Sequence, residues 1–188
     1  AEYALDGESY RPREEILRLD AALRDSLSWP RRKKEVAQPW VLPAEKPRHT
    51  LRLRFRVECE RELSGLLLAV ERPEDLALRW NGYEIPMPHR EERGWYVDPA
   101  IETLPLPPAR AGENLLEITM PFGLRSNPEW CYILGDFGVK VRGARSVLTR
   151  PPETLAFGSV VPQGLPFYGG NITYHIPIEL PRGAKGLR

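Results

Sequence analysis

Leu51-Arg52-Leu53-Arg54-Phe55-Arg56-Val57-Glu58-Cys59-Glu60 decides the fold class. Successive side chains of a strand point to opposite faces, so a period of two separates this segment into two surfaces. Leu51, Leu53, Phe55, Val57 and Cys59 form the apolar face, and Arg52, Arg54, Arg56, Glu58 and Glu60 form the wet one. A slip of one residue would exchange the faces, so the register is strongly specified. Cys59 lies on the apolar face and reads as an inert buried thiol.

Short strands continue downstream. Leu66, Leu68 and Val70 mark a second, and Leu76, Leu78 and Trp80 a third. Asn81-Gly82 follows at once, the pair favoured by a type I′ hairpin turn, and Tyr83 and Ile85 begin the return strand. Trp95-Tyr96-Val97 is a further candidate, whereas Pro105, Pro107 and Pro108 predict an edge or loop for 104–109. The turn Gly112-Glu113-Asn114 launches Leu116, Ile118 and Met120 on one face. Tyr132-Ile133-Leu134 and Val139-Lys140-Val141 come next. A Pro- and Gly-rich stretch from Pro151 to Gly170 crosses a surface, and Ile172 to Leu180 reads as a last strand. Seven to nine short strands with turn signals and no alternating helices predict an all-β, antiparallel β-sandwich.

Upstream, the period is helical. Ile16, Leu19, Leu23 and Leu27 form one stripe, with Pro12 at the start, Glu14 and Glu15 at the positive end of the dipole, and Pro30 as the stop. The helix should lie on the sandwich through Ile16, Leu19 and Leu23. This partitions the chain into a helix and Pro-rich lead-in over 1–40, a β-sandwich over 41–150, and a crossing segment over 151–188 that starts a further strand or domain. The basic run Arg31-Arg32-Lys33-Lys34 reads as a solvated loop, with an anion site as the alternative.

Composition excludes several function classes. Across 188 residues, 27 Lys and Arg face 26 Asp and Glu, for a net charge of +1. A dedicated nucleic-acid binder carries a clear cationic excess, so none is expected as partner. No apolar run is long enough to span a membrane, and no signal-peptide pattern opens the chain, which leaves cytoplasmic and secreted locations both open. Two cysteines, Cys59 and Cys131, allow at most one bridge and no disulfide scaffold. His49, His89 and His175 are too scattered for a metal motif, so no cofactor is expected; structural calcium on backbone carbonyls leaves little sequence trace and stays open. No nucleophile elbow or phosphate-cradling glycine loop is present.

Two kinds of chemistry remain. Glu129 and Asp136, beside Trp130 and Phe137, are the one carboxylate pair worth weighing for glycosidase chemistry, with a structural role in turns as the alternative. The aromatic side chains Trp40, Trp80, Trp95, Trp130, Tyr83, Tyr96, Tyr132 and Tyr168 offer flat faces that can stack on a pyranose or pack a core. Trp80 is in phase with Leu76 and Leu78 and reads as core. Trp95 and Trp130 flank turn signals, where loops present ligand contacts. The candidate carbohydrate contacts are therefore Trp95, Trp130 and Tyr168, with Asp98 and Glu129 as polar partners. Asn171-Ile172-Thr173 matches a glycosylation acceptor, which matters only in a eukaryotic secretory pathway.

Glu129-Trp130-Cys131-Tyr132-Ile133-Leu134-Gly135-Asp136-Phe137-Gly138-Val139 resembles a block in large bacterial glycoside hydrolases of the family 2 or α-L-rhamnosidase-like type. Gln163-Gly164-Leu165-Pro166-Phe167-Tyr168-Gly169-Gly170-Asn171-Ile172-Thr173-Tyr174 resembles a second block of the same group. Arg79-Trp80-Asn81-Gly82 and Gly112-Glu113-Asn114-Leu115 resemble turns of galactose-binding-like jelly rolls. The resemblance spans about residues 40–180. It implies a jelly-roll accessory domain of a larger hydrolase, whose catalytic carboxylates belong to a separate barrel and whose partners are neighbouring domains and carbohydrate. A purely structural interdomain module and a free-standing glycosidase are the alternatives. The isolated chain is expected to be non-catalytic, since a domain inherited from an enzyme need not catalyse anything.

Overall fold

The computed structural model describes residues 1–33, 38–129, 131–143 and 145–179. Among them are eleven strands and one α-helix. The strands are β1 Glu2–Leu5, β2 His49–Cys59, β3 Leu67–Glu71, β4 Ala77–Trp80, β5 Tyr83–Glu84, β6 Gly94–Tyr96, β7 Asp98–Pro105, β8 Gly112–Phe122, β9 Tyr132–Leu134, β10 Gly138–Arg142 and β11 Arg145–Thr149; the helix is α1, Ile16–Ser26. One seven-stranded sheet runs β10-β11-β2-β8-β4-β5, with β1 also on β2, and a four-stranded sheet runs β6-β7-β3-β9.

β2 obeys its alternation. Leu51, Leu53 and Cys59 are buried, and Phe55 and Val57 pack against the core with partial exposure. On the outer face Arg54 pairs with Glu117 at 2.9 Å, and Arg56 reaches Glu2 at 3.0 Å and Glu113 at 2.7 Å. Opposite charges on neighbouring strands reinforce the register that the leucines impose. β8 pairs with β2 along its whole length, placing Met120 beside Leu51, Ile118 beside Leu53 and Leu116 beside Phe55. A single cluster then joins these residues to Leu68 and Val70 of β3, Leu104 of β7, Trp80 of β4, and Ile16, Leu19 and Leu23 of α1. Trp80 is core, as its phase with Leu78 requires.

The helix starts at its carboxylates. Glu15 is the N-cap, accepting hydrogen bonds from the Leu17 and Arg18 amides at 3.0 and 3.1 Å. This satisfies donors that no helical carbonyl can reach. Pro12 lies four residues before Ile16, outside the helix, and the helix stops at Ser26 ahead of Pro30.

Three expectations need correction. The first residues form β1, an edge strand paired to the first half of β2, which short-range patterning around Pro12 does not reveal. The sheets are not wholly antiparallel: Val147 and Leu148 of β11 run parallel to Glu58 and Cys59. β1 covers only the first half of this edge of β2 and leaves the rest open to β11. The prolines near 105 act as expected, since β6 pairs with β7 only as far as Thr103, which leaves Leu104 and Pro105 on an open edge, and 106–108 form a loop. Finally, residues 172–179 form no strand; their backbone pairs with no sheet edge, and Leu180 lies outside the described residues.

Two turns interlock. Asn81 and Gly82 both have positive φ, 52° and 84°, as the type I′ turn requires. The Asn81 side chain donates to Asn114 Oδ1 at 2.9 Å and accepts from the Leu115 amide at 2.9 Å. Asn114, fully buried, also accepts from the Arg110 amide at 3.0 Å and donates to the Arg110 carbonyl at 2.8 Å. A buried amide is tolerated here because its groups are paired.

The Pro- and Gly-rich segment folds on itself. The Gln163 amide donates to the carbonyls of Ala156 and Ser159 at 3.0 and 2.9 Å and accepts from the Ala156 amide at 2.7 Å. Val139 N–H donates to the Gly164 carbonyl at 2.7 Å, docking the segment on β10. Gly138 permits this approach, since a Cβ there would meet the Arg150 carbonyl at 2.6 Å.

Candidate functional site: a cleft between the sheets

A cleft of about 800 Å³ opens where the two sheets meet the segments 38–47 and 121–129. Leu53 of β2, Ile118 and Met120 of β8, and Val70 of β3 form its apolar floor. Trp40 stands on the rim, 70% exposed. Its position is held by Arg125, whose guanidinium donates to the Leu42 carbonyl at 2.8 Å and the Trp40 carbonyl at 3.3 Å.

The polar wall is assembled by α1. Arg24 is wholly buried and donates through Nε to both Asp20 oxygens at 3.0 Å. Its remaining nitrogens donate to the carbonyls of Leu124 at 3.2 Å and Ser126 at 2.8 Å. Arg32 donates through Nε to Asp20 at 3.0 Å and pairs with Glu129 at 3.3 Å. It also donates to the Pro128 carbonyl at 3.4 Å. Asn127 donates to the same Glu129 oxygen, and its own Oδ1 is buried without a donor.

Glu71, at the end of β3, contrasts with Glu129. Among the described residues its carboxylate makes no hydrogen bond and no ion pair. Burial pushes its pKa above the usual carboxylate value, and the neighbouring Glu129 and Asp98 charges push the same way, against the pull of Arg32 and Arg72. The cleft thus offers an acceptor lacking a donor, Glu71, over an apolar floor, beside an exposed indole. That combination suits a small polyhydroxylated molecule, whose hydroxyls donate while its C–H face packs.

The five residues singled out from the sequence scatter. Glu129 lines the cleft, and Asp98 lies close enough to act electrostatically on Glu71. Asp98 is itself exposed, its Oδ1 accepting from the Ala100 amide at 2.8 Å. Trp95 is 62% exposed on the edge strand β6, away from the cleft lining, and β6 joins β7 through Val97 at φ 64°. A β-branched residue at positive φ is strained. Tyr168 lies in the 151–179 segment, where its hydroxyl donates to the Asn171 carbonyl at 2.7 Å. Trp130 lies outside the described residues.

Other expectations shift as well. Asp136 stands on the turn after β9 and does not line the cleft with Glu129. Within the basic run, Arg31 is solvated and pairs with Asp25, but Arg32 turns inward with its side chain only 12% exposed; Lys34 lies outside the described residues. Glu71, Trp40 and Arg32 were not identified as site residues. Glu71 is a charged residue ending a strand, a common pattern, and the Asp20–Arg24 spacing of four resembles any helix-surface pair.

Among the described residues no group of three or more His, Cys, Asp or Glu is placed to hold a metal ion. None of the described helices is long and apolar enough to cross a membrane. Cys131 packs against the core, and burial pushes its thiol pKa up to about 11, the opposite of a reactive thiolate. No protein-family profile, curated protein or solved structure matches the chain.

Proposed function

We propose that this chain is a non-catalytic accessory β-sandwich, of the galactose-binding-like jelly-roll kind, from a larger bacterial glycoside hydrolase. We infer that it contacts carbohydrate in the cleft between its sheets. The observation that supports this reading is the cleft itself, about 800 Å³ with an apolar floor, an exposed Trp40 and the undersatisfied acceptor Glu71. Its volume lies in the range of small-molecule sites, roughly 300–1,000 Å³. Trp95, Asp98 and Tyr168 lie outside the cleft lining, and calcium has no assigned place.

Calorimetric titration with rhamnose-, galactose- and glucose-containing oligosaccharides tests the reading. Affinity between millimolar and micromolar is expected, lost in Trp40→Ala and Glu71→Ala while Trp95→Ala changes little. Silence for every sugar, or binding that depends on Trp95 alone, removes the cleft from the proposal.

A specific observation favours a second reading, an interdomain module without ligand. Phe157, Val161, Phe167, Tyr168, Ile176 and Ile178 are all exposed along one 22-residue stretch. Apolar residues concentrated on a surface mark protein contacts. Glycosidase activity by Glu129 with Asp136 ranks last, because the two do not share the cleft.

A further inference from the structure

We propose that Arg32 is a positioning residue of the cleft: anchored on Asp20 of α1, it fixes Glu129 and the 123–129 loop. The N-terminal helix is thereby a working wall of the site. This deepens the reading of the cleft as a carbohydrate site and, for its affinity consequence, rests on it.

The argument begins with the loop. Residues 123–129 form no regular ladder, yet the carbonyls of Leu124, Ser126 and Pro128 all accept from guanidinium groups of Arg24 or Arg32. Asp20 lies between those guanidinium groups, bonded to each at 3.0 Å. A planar guanidinium whose Nε is held by a carboxylate can direct its other nitrogens in fixed directions, which an ammonium cannot. Arg32 uses them on the Pro128 carbonyl and the Glu129 carboxylate. Loop residues Gly123, Ser126, Asn127, Pro128 and Glu129 line the cleft, so a freed loop changes the wall presented to a ligand. Local loop order is supplied by Ser126, whose hydroxyl accepts from the Gly123 amide at 2.8 Å and donates to the Pro121 carbonyl at 3.0 Å. Those bonds close the start of the loop and leave its Glu129 end to Arg32 and the neighbouring Asn127 amide.

Arg32→Gln is the informative change, because Asp20 keeps Arg24 and the buried carboxylate is not abandoned. Backbone NMR order parameters without ligand are the first readout. Those of Asn127 and Glu129 should fall from the rigid range of about 0.85 toward about 0.6, with β2 and β8 unchanged, and Arg32→Lys should restore them in part. The second readout is a double-mutant cycle on affinity for the galactose-, glucose- and rhamnose-containing oligosaccharides. Arg32→Gln should weaken binding roughly tenfold in the native background and add nothing in Glu129→Gln, because it acts through that carboxylate. Unchanged order parameters in Arg32→Gln overturn the proposal, as do losses that add in the cycle. If the native chain binds none of these sugars, the carbohydrate reading falls, while lowered order parameters still uphold the positioning of the loop.

Discussion

Arg24→Met tests the most deeply buried charge among the described residues. Arg24 has no exposed surface, and its guanidinium donates to Asp20, Pro30, Leu124 and Ser126. Methionine fills much of the space of the stem but donates nothing. Removing one partner of a buried pair costs roughly 3–5 kcal/mol, because a charge is left uncompensated. Asp20 retains Arg32 at 3.0 Å, which offsets part of that loss. Against this, the Leu124 and Ser126 carbonyls lose their guanidinium donors, and an orphaned buried acceptor costs roughly 1–3 kcal/mol. A net loss of about 4 kcal/mol follows from these opposing terms. Since small domains are stable by only about 5–15 kcal/mol, the variant should sit near the edge of folding. Urea unfolding followed by circular dichroism measures it, with the midpoint falling and the slope unchanged. Asp20→Asn combined with Arg24→Met should cost less than the two singles added, because each single strands the other's partner. A loss under about 1 kcal/mol for Arg24→Met would refute the claim that this buried pair holds the loop.

The remaining predictions concern other parts of the molecule. Trp80→Ala should cost about 3–5 kcal/mol by urea titration, whereas Trp95→Ala should stay within about 0.5 kcal/mol, because one indole is enclosed and the other is exposed. Glu71 has a raised pKa in the folded chain, so the folded state holds its proton more tightly and stability falls as pH rises through that value. Thermal melts across pH 4–8 should therefore show Glu71→Gln more stable than the native chain at the upper end, with the difference vanishing below the ordinary carboxylate pKa of about 4.3. Gly138→Ala would drive a methyl to 2.6 Å from the Arg150 carbonyl, so limited proteolysis should cut the 151–179 segment faster than in the native chain.

What the sequence determined by itself is local and periodic. The alternation from Leu51 to Glu60 was enough to orient β2, because a half-buried strand has only one register that hides its leucines. The same logic located Trp80, the Asn81-Gly82 turn and the buried stripe of α1. Where tertiary partners set the outcome, the residues alone were silent. β1 exists because β2 is long enough to offer half of one edge, and β11 can pair with β2 because the other half remained free. An alternating segment over 172–178 has strand chemistry but pairs with no sheet edge among the described residues, so it forms no strand. The cleft was the least legible part. Glu71, Arg32 and Trp40 are separated in sequence by up to 39 positions, and their meeting depends on the contact between two sheets, a helix and two irregular segments. Charge says that such side chains prefer water; only the folded chain decides that Arg32 turns inward, because Asp20 and Glu129 are already waiting there to compensate it.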